Sequence, residues 1–97
     1  MSLFLVLIEQ ASPTVTAKLA ERFPGQYYAA FPGSDKAYLV NSPGATSRDV
    51  ASALGLTGNA SGDAAPEPPR NLVVAFQGYY GWNSQDVWEW IGQRRAQ

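Results

Sequence analysis

Three observations on the sequence predict its fold class. Two strand-length runs, "LFLVLI" at Leu3–Ile8 and "NLVVAF" at Asn71–Phe76, have the pattern of strands covered on both faces. Two helix starts are written out in Ser12-Pro13 and in Thr46 with Asp49. Between them, two short stretches are joined through Pro32-Gly33-Ser34-Asp35. The resulting order is β-α-β-β-α-β followed by one more helix. It predicts an α+β fold, a ferredoxin-like split β-α-β sandwich with an additional C-terminal amphipathic helix. The 97 residues make one domain, 1–97. That is near the small end of chains that fold alone, where roughly 60–70% of the extended-chain surface is buried.

Each element follows from local chemistry. Leu3–Ile8 is the first strand. In the first helix Ser12 is the N-cap and Pro13 takes the first helical position, where no backbone N–H is needed. Val15, Leu19 and Phe23 recur at i, i+4 and i+8 as the apolar stripe, with Lys18 and Glu21 off it. Pro24-Gly25 stops this helix. "QYYAAF" and "KAYLVN" are short strands, and a four-residue connection holding Gly and Asp predicts a hairpin between them. Thr46 starts the second helix, and Asp49 at its third position completes a capping-box-like pair. Val50, Ala53 and Leu54 face the core, and Gly55 is the C-terminal stop. Residues 57–70, rich in Gly, Ala and Pro, have almost no core-forming side chains and are expected to form a mobile loop. Asn71–Phe76 closes the sheet and Asn83–Arg95 is the third helix. A ferredoxin-like sheet leaves one face bare, yet both long strands are apolar on both faces. The final helix or a second subunit must therefore cover that face.

The last stretch, "GYYGWNSQDVWEWIGQRR", holds all three tryptophans of the chain. At about 100° per residue, Val87, Trp88 and Ile91 fall within one arc with Trp90 on its flank, and Gln85, Asp86, Glu89 and Gln93 lie opposite. Asn83 reads as the N-cap with Asp86 as its box partner, and Trp82 with Val87 as a hydrophobic staple. Arg94 and Arg95 in the last turn suit the helix dipole, and Arg94 lies four residues after Trp90, in reach of a cation–π contact. Packing accounts for Trp82 and Trp88 in this reading. Tyr79, Tyr80 and Trp90 lie in a Gly-bracketed loop or on the flank of the stripe, where exposed aromatic side chains anchor binding surfaces. The candidate interaction residues are Tyr79, Tyr80, Trp82, Trp90, Arg94 and Arg95.

Composition closes several functional classes. Seven Lys and Arg against eight Asp and Glu give a net charge of −1, so no bulk field draws the chain to nucleic acid or an anionic membrane. There is no Cys, which excludes disulfides, thiol nucleophiles and thiolate metal sites, and no His, the commonest general base and metal ligand. Without His, a conventional Ser triad cannot be built. Glu9 ends the first strand where metal-dependent nucleases of this fold place a carboxylate, but no second acidic residue lies near a strand end. Gly55, Gly58 and Gly62 follow a helix and carry no Lys-Ser/Thr pair, the wrong context for phosphate binding. "MSLFLVLIEQ" is too short an apolar run for a signal-peptide core or a membrane span, so a cytoplasmic protein is expected.

The sequence therefore reads as a small non-catalytic protein-interaction module, a homodimer or the small partner of a larger protein, with no cofactor and no metal. One alternative is a small-molecule or cofactor-free enzyme domain, which an enclosed pocket lined by Tyr27, Tyr28, Tyr79 and Trp82 would favour. A second is a nucleic-acid-associated, Cas2-like domain. Base stacking on the aromatic cluster would need interleaved basic residues, and Arg94 and Arg95 alone supply few.

Overall fold

The strand of Leu3–Ile8, β1, alternates between two cores. Phe4, Val6 and Ile8 are buried on one face, and Leu3 is buried on the other beside half-buried Leu5 and Leu7. The computed structural model describes residues 3–31, 33–57 and 68–95, without the side chain of Arg95. After β1 come α1 (Pro13–Arg22), β2 (Tyr27–Ala29), β3 (Ala37–Asn41), α2 (Ser47–Ala53), β4 (Asn71–Phe76) and α3 (Gln85–Arg95). The chain is thus α+β, with three helices and one four-stranded sheet among the described residues. The strand order is β2-β3-β1-β4, and every neighbouring pair is antiparallel.

Register sorts the side chains. Phe4 lies opposite Val40 on β3 and Ala75 on β4, and Leu5 lies opposite Leu39 and Val74. Because side chains alternate along a strand, even-numbered β1 residues face α1 and α2, and odd-numbered ones face α3. The first core joins Phe4, Val6 and Ile8 to Val15 and Leu19 of α1, Tyr38 and Val40 of β3, and Val50 and Leu54 at α2. Both covering helices are capped as their sequences predict. The Val15 N–H donates to Ser12 Oγ at 3.3 Å. The Asp49 N–H donates to Thr46 Oγ1 at 3.1 Å, and the Thr46 N–H returns a bond to Asp49 Oδ2 at 2.9 Å. Gly25 and Gly55, just past the helix ends, both have φ of 72°, a left-handed conformation that a side chain disfavours.

The second core forms where α3 crosses the other face. Val87, Trp90 and Ile91 pack with Leu3, Ala30, Ala37 and Leu39. The last helix is therefore what covers β2, β3 and part of β1. Phe76 of β4 also packs against this cluster, whereas Leu72 farther along β4 stays 57% exposed.

The structure departs from the sequence expectation at several places. The strand predicted over "QYYAAF" shortens to Tyr27–Ala29. Ala30 still donates to the Ala37 carbonyl at 3.0 Å, but the Phe31 carbonyl accepts from Ser34 and turns the chain out of the ladder. The third helix begins at Gln85 rather than Asn83. Its buried stripe is Val87, Trp90 and Ile91, spaced i, i+3 and i+4, so Trp90 is only 7% exposed while Trp88 is half-buried. The two tryptophans thus sit the other way round from the sequence expectation, because an arc drawn through Val87, Trp88 and Ile91 is turned slightly away from the face that meets the sheet. Trp82 is 97% exposed and so makes no staple with Val87. The mobile-loop expectation for 57–70 falls mostly on residues 58–67, which lie outside the described residues, as does Pro32 of the hairpin connection.

The three tryptophans should consequently separate in stability measurements. Trp90→Ala should lower the free energy of unfolding by about 3–5 kcal/mol, the range for a buried large aromatic side chain. Trp82→Ala should stay within about 0.5 kcal/mol of the parent, as surface substitutions do. Denaturant titration of the two variants checks the order.

Candidate interaction surface

Two rows of aromatic side chains fix α3 and the segment before it. The first row lies along Asp86, Trp90 and Arg94, one helix line at i, i+4 and i+8. The Tyr28 ring stacks on Trp90 with centroids 6.0 Å apart and planes 21° from parallel. The Arg94 guanidinium carbon lies 4.8 Å from the Trp90 ring on a cation–π path, and its Nη2 donates to the Gly25 carbonyl at 2.9 Å. The Tyr28 hydroxyl donates to Asp86 Oδ2. Three side chains of α3 thus hold the edge strand β2 and the turn preceding it. The shared hydrogen bond lowers the Asp86 pKa from its ordinary 3.8, because it favours the carboxylate. The same bond, together with desolvation and the negative charge of the carboxylate, raises the Tyr28 pKa from 10.0.

The second row anchors the chain between β4 and α3. Phe76 meets Tyr79 edge-on at 6.2 Å, and Tyr79 stacks on Trp88 at 5.8 Å with planes 14° apart. Asn83 closes the segment. Its Nδ2 donates to the Ala30 carbonyl, and its Oδ1 accepts from the Ser84 N–H at 2.8 Å. Held at both ends, the segment carries Tyr80 fully exposed and Trp82 at 97%. Behind them lies an open cleft of about 500 Å³. Its floor is Leu5, Leu39, Val74 and Phe76 of the sheet, and its walls are Val87, Trp88 and Ile91 on one side and Phe31, Tyr79, Tyr80 and Trp82 on the other. Among the described lining residues none is charged, and Asn83 is the one with a polar amide.

The six candidate residues divide between these two places. Tyr79, Tyr80 and Trp82 come together at the cleft, whereas Trp90 and Arg94 belong to the row on β2. The side chain of Arg95 lies outside the described residues. Of the four residues named for an enclosed pocket, Tyr79 and Trp82 line the cleft. Tyr28 stacks on Trp90, and Tyr27 packs against the first core on the opposite face. Sequence reading missed Phe31, Trp88 and Val74 as cleft residues. Strand parity offered a signal for Val74, since it shares a face with Leu72 and Phe76. No local signal marks Phe31, which leaves β2 before the hairpin turn. Glu9 at the end of β1 lies 3.9 Å from Arg70 and donates its backbone N–H to the Arg70 carbonyl. Both side chains are exposed, so the ion pair contributes at most about 1 kcal/mol. Among the described residues no group of three His, Cys, Asp or Glu is placed to hold a metal ion, and no helix is long and apolar enough to cross a membrane.

The chain matches no protein family, no curated protein and no solved structure.

The bond between Tyr28 and Asp86 predicts a pH dependence with two limbs. A lowered Asp86 pKa contributes stability that is present above pH 3.8 and is lost as pH falls through the folded value. A raised Tyr28 pKa contributes stability that is complete below pH 10.0 and is lost as pH rises through the folded value. Tyr28→Phe should flatten both limbs of the melting temperature against pH, and a profile unchanged by the substitution would show that the bond does not form in solution.

Proposed function

We infer that the chain is a ferredoxin-like split β-α-β sandwich to which α3 has been added, and we propose that it is a non-catalytic protein-interaction module. The order β2-β3-β1-β4, with two β-α-β halves joined by the β2–β3 connection, supports the fold. The function rests on one observation: two large aromatic side chains, Tyr80 and Trp82, stand in solvent at the rim of an uncharged cleft. Single exposed apolar residues are ordinary, but these adjoin Phe31 and Tyr79, also exposed, around one apolar floor. Burying them against a partner recovers hydrophobic free energy that the free chain leaves unused. Tyr and Trp also lose little conformational entropy when they dock, which is why they recur at the energetic centres of interfaces.

The occupant this cleft suits is an apolar or aromatic segment of a protein, either a second copy or a larger partner in the cytoplasm. A small-molecule reading has one observation in its favour, since about 500 Å³ falls within the range of ligand cavities. The protein reading is preferred because Tyr80 and Trp82, at the rim of the cleft, are almost fully exposed, and a small ligand on the floor would leave most of their surface wet.

A displayed library of random peptides, selected on the immobilised chain, tests the proposal. Peptides with two or more large apolar anchors should be enriched, and Trp82→Ala should weaken them by about 30-fold or more, the loss of a hot-spot residue at about 2 kcal/mol. No enrichment, or binding that ignores both Tyr80→Ala and Trp82→Ala, would refute it.

A further inference from the structure

The sheet has two edges, and they differ. One is β2, only three residues long and held under α3 by Tyr28. The other is β4, a run of six residues from Asn71 to Phe76 that pairs with β1 without a break in register. Natural edge strands are kept from pairing by shortness, proline, lysine, inward charge or a bulge. β4 has none of these among its residues.

The register also fixes which backbone groups point outward. The Glu9 N–H donates to the Arg70 carbonyl at 2.8 Å, so these residues form a hydrogen-bonded pair in the β1–β4 ladder. Such pairs alternate in an antiparallel ladder. Leu72, Val74 and Phe76 therefore turn their N–H and C=O groups toward β1, and Asn71, Val73 and Ala75 turn theirs to the open edge. Among the described residues no strand pairs with that edge.

We propose that the open edge of β4 is a dimer interface, pairing antiparallel with β4 of a second copy about a two-fold axis at Val73. Antiparallel partners put directly opposite residues on the same face of the sheet. In this register Asn71 lies opposite the partner's Ala75, and Leu72 lies opposite the partner's Val74. The outward backbone groups are then satisfied on both chains, and Leu72, 57% exposed in one copy, gains an apolar neighbour. Arg70, whose side chain is 91% exposed, lies opposite the partner's Phe76, where a guanidinium has an aromatic ring to cover. A second copy is the fitting occupant because the segment from Asn71 to Phe76 carries no charge and is its own complement under a two-fold axis. The net charge of −1 leaves little repulsion between copies. The α3-bearing faces of the two sheets become continuous, so both aromatic clefts open on one side of an eight-stranded sheet. This interface goes beyond the cleft proposed above and does not depend on it.

Sedimentation velocity on the full chain tests the interface. The parent should sediment as a dimer, roughly twice 10.5 kDa. Ala75→Pro removes an N–H that points away from β1, and Leu72→Lys puts a charge on an exposed position. Each variant should raise the dimer dissociation constant at least tenfold while far-ultraviolet circular dichroism remains that of the parent. The chain has no cysteine, so Leu72→Cys combined with Val74→Cys should give a covalent dimer under mild oxidation, because the two positions face each other across the axis. Trp82→Ala should leave the dimer intact. A monomeric parent at 100 µM, a dimer indifferent to folded Leu72→Lys, or a dimer lost in Trp82→Ala but kept in the β4 variants would overturn the inference. The last result would instead place self-association at the cleft.

Discussion

Everything in this molecule follows from β1 being apolar on both faces. A central strand whose odd and even residues are equally hydrophobic cannot leave either face of its sheet in water. Phe4, Val6 and Ile8 are satisfied by α1 and α2, as the two internal helices of such an element order allow. Leu3, Leu5 and Leu7 need a separate cover, and α3 supplies it with Val87, Trp90 and Ile91. The helix crosses the sheet near β2 and leaves Leu72 of β4 uncovered. The incompletely covered part of the face is where the cleft and Leu72 are found.

The row of Tyr28, Trp90 and Arg94 explains why α3 sits there and not over the centre of the sheet. The stacking of Tyr28 on Trp90 and the bond from Arg94 to the Gly25 carbonyl draw the helix toward the β2 edge, and the cation–π contact within α3 holds Arg94 over Trp90. The polar ends of this row, Asp86 and Arg94, are one turn either side of Trp90. A buried indole is thus bracketed by groups that fix its rotation without placing a charge inside the core. Exposure of Tyr80 and Trp82 is the counterpart of this pinning. Because Trp90 takes the buried position on the stripe and Tyr79 spends its ring on Trp88 and Phe76, Tyr80 and Trp82 have no internal surface left to cover.

Much of this was legible from residues alone, and the limits have physical causes. Caps are local, so Ser12, Thr46 and Asp49 identified their helices and the bonds they make. Strand existence was legible in Leu3–Ile8 and Asn71–Phe76 because an apolar run of that length has few alternatives. The need for cover on the second face was legible for the same reason. The rotation of α3 was not, because Val87, Trp88, Trp90 and Ile91 are all apolar and a helical projection cannot say which of two adjacent tryptophans meets the sheet. That choice is made by Tyr28, Gly25 and Ala30, residues more than fifty positions away. Trp82 misled for a related reason. Its place before Asn83 fits a staple, but Asn83 is committed to the Ala30 carbonyl and the helix starts two residues later.

The central claim is that α3 belongs to the folded core as fully as β1 does, while Tyr80 and Trp82 in the segment before it stay in solvent. Native-state amide hydrogen exchange measures this most directly, because it assigns an opening free energy to each backbone N–H. The account predicts that the amides of Trp90 and Ile91 exchange only through the same global unfolding that exposes Val6 and Val40, and that those of Tyr80 and Trp82 exchange nearly as fast as in a free peptide. If the α3 amides exchange through a separate low-energy opening while β1 remains protected, the helix is an appendage, and the claim that it seals the second face and shapes the cleft is contradicted.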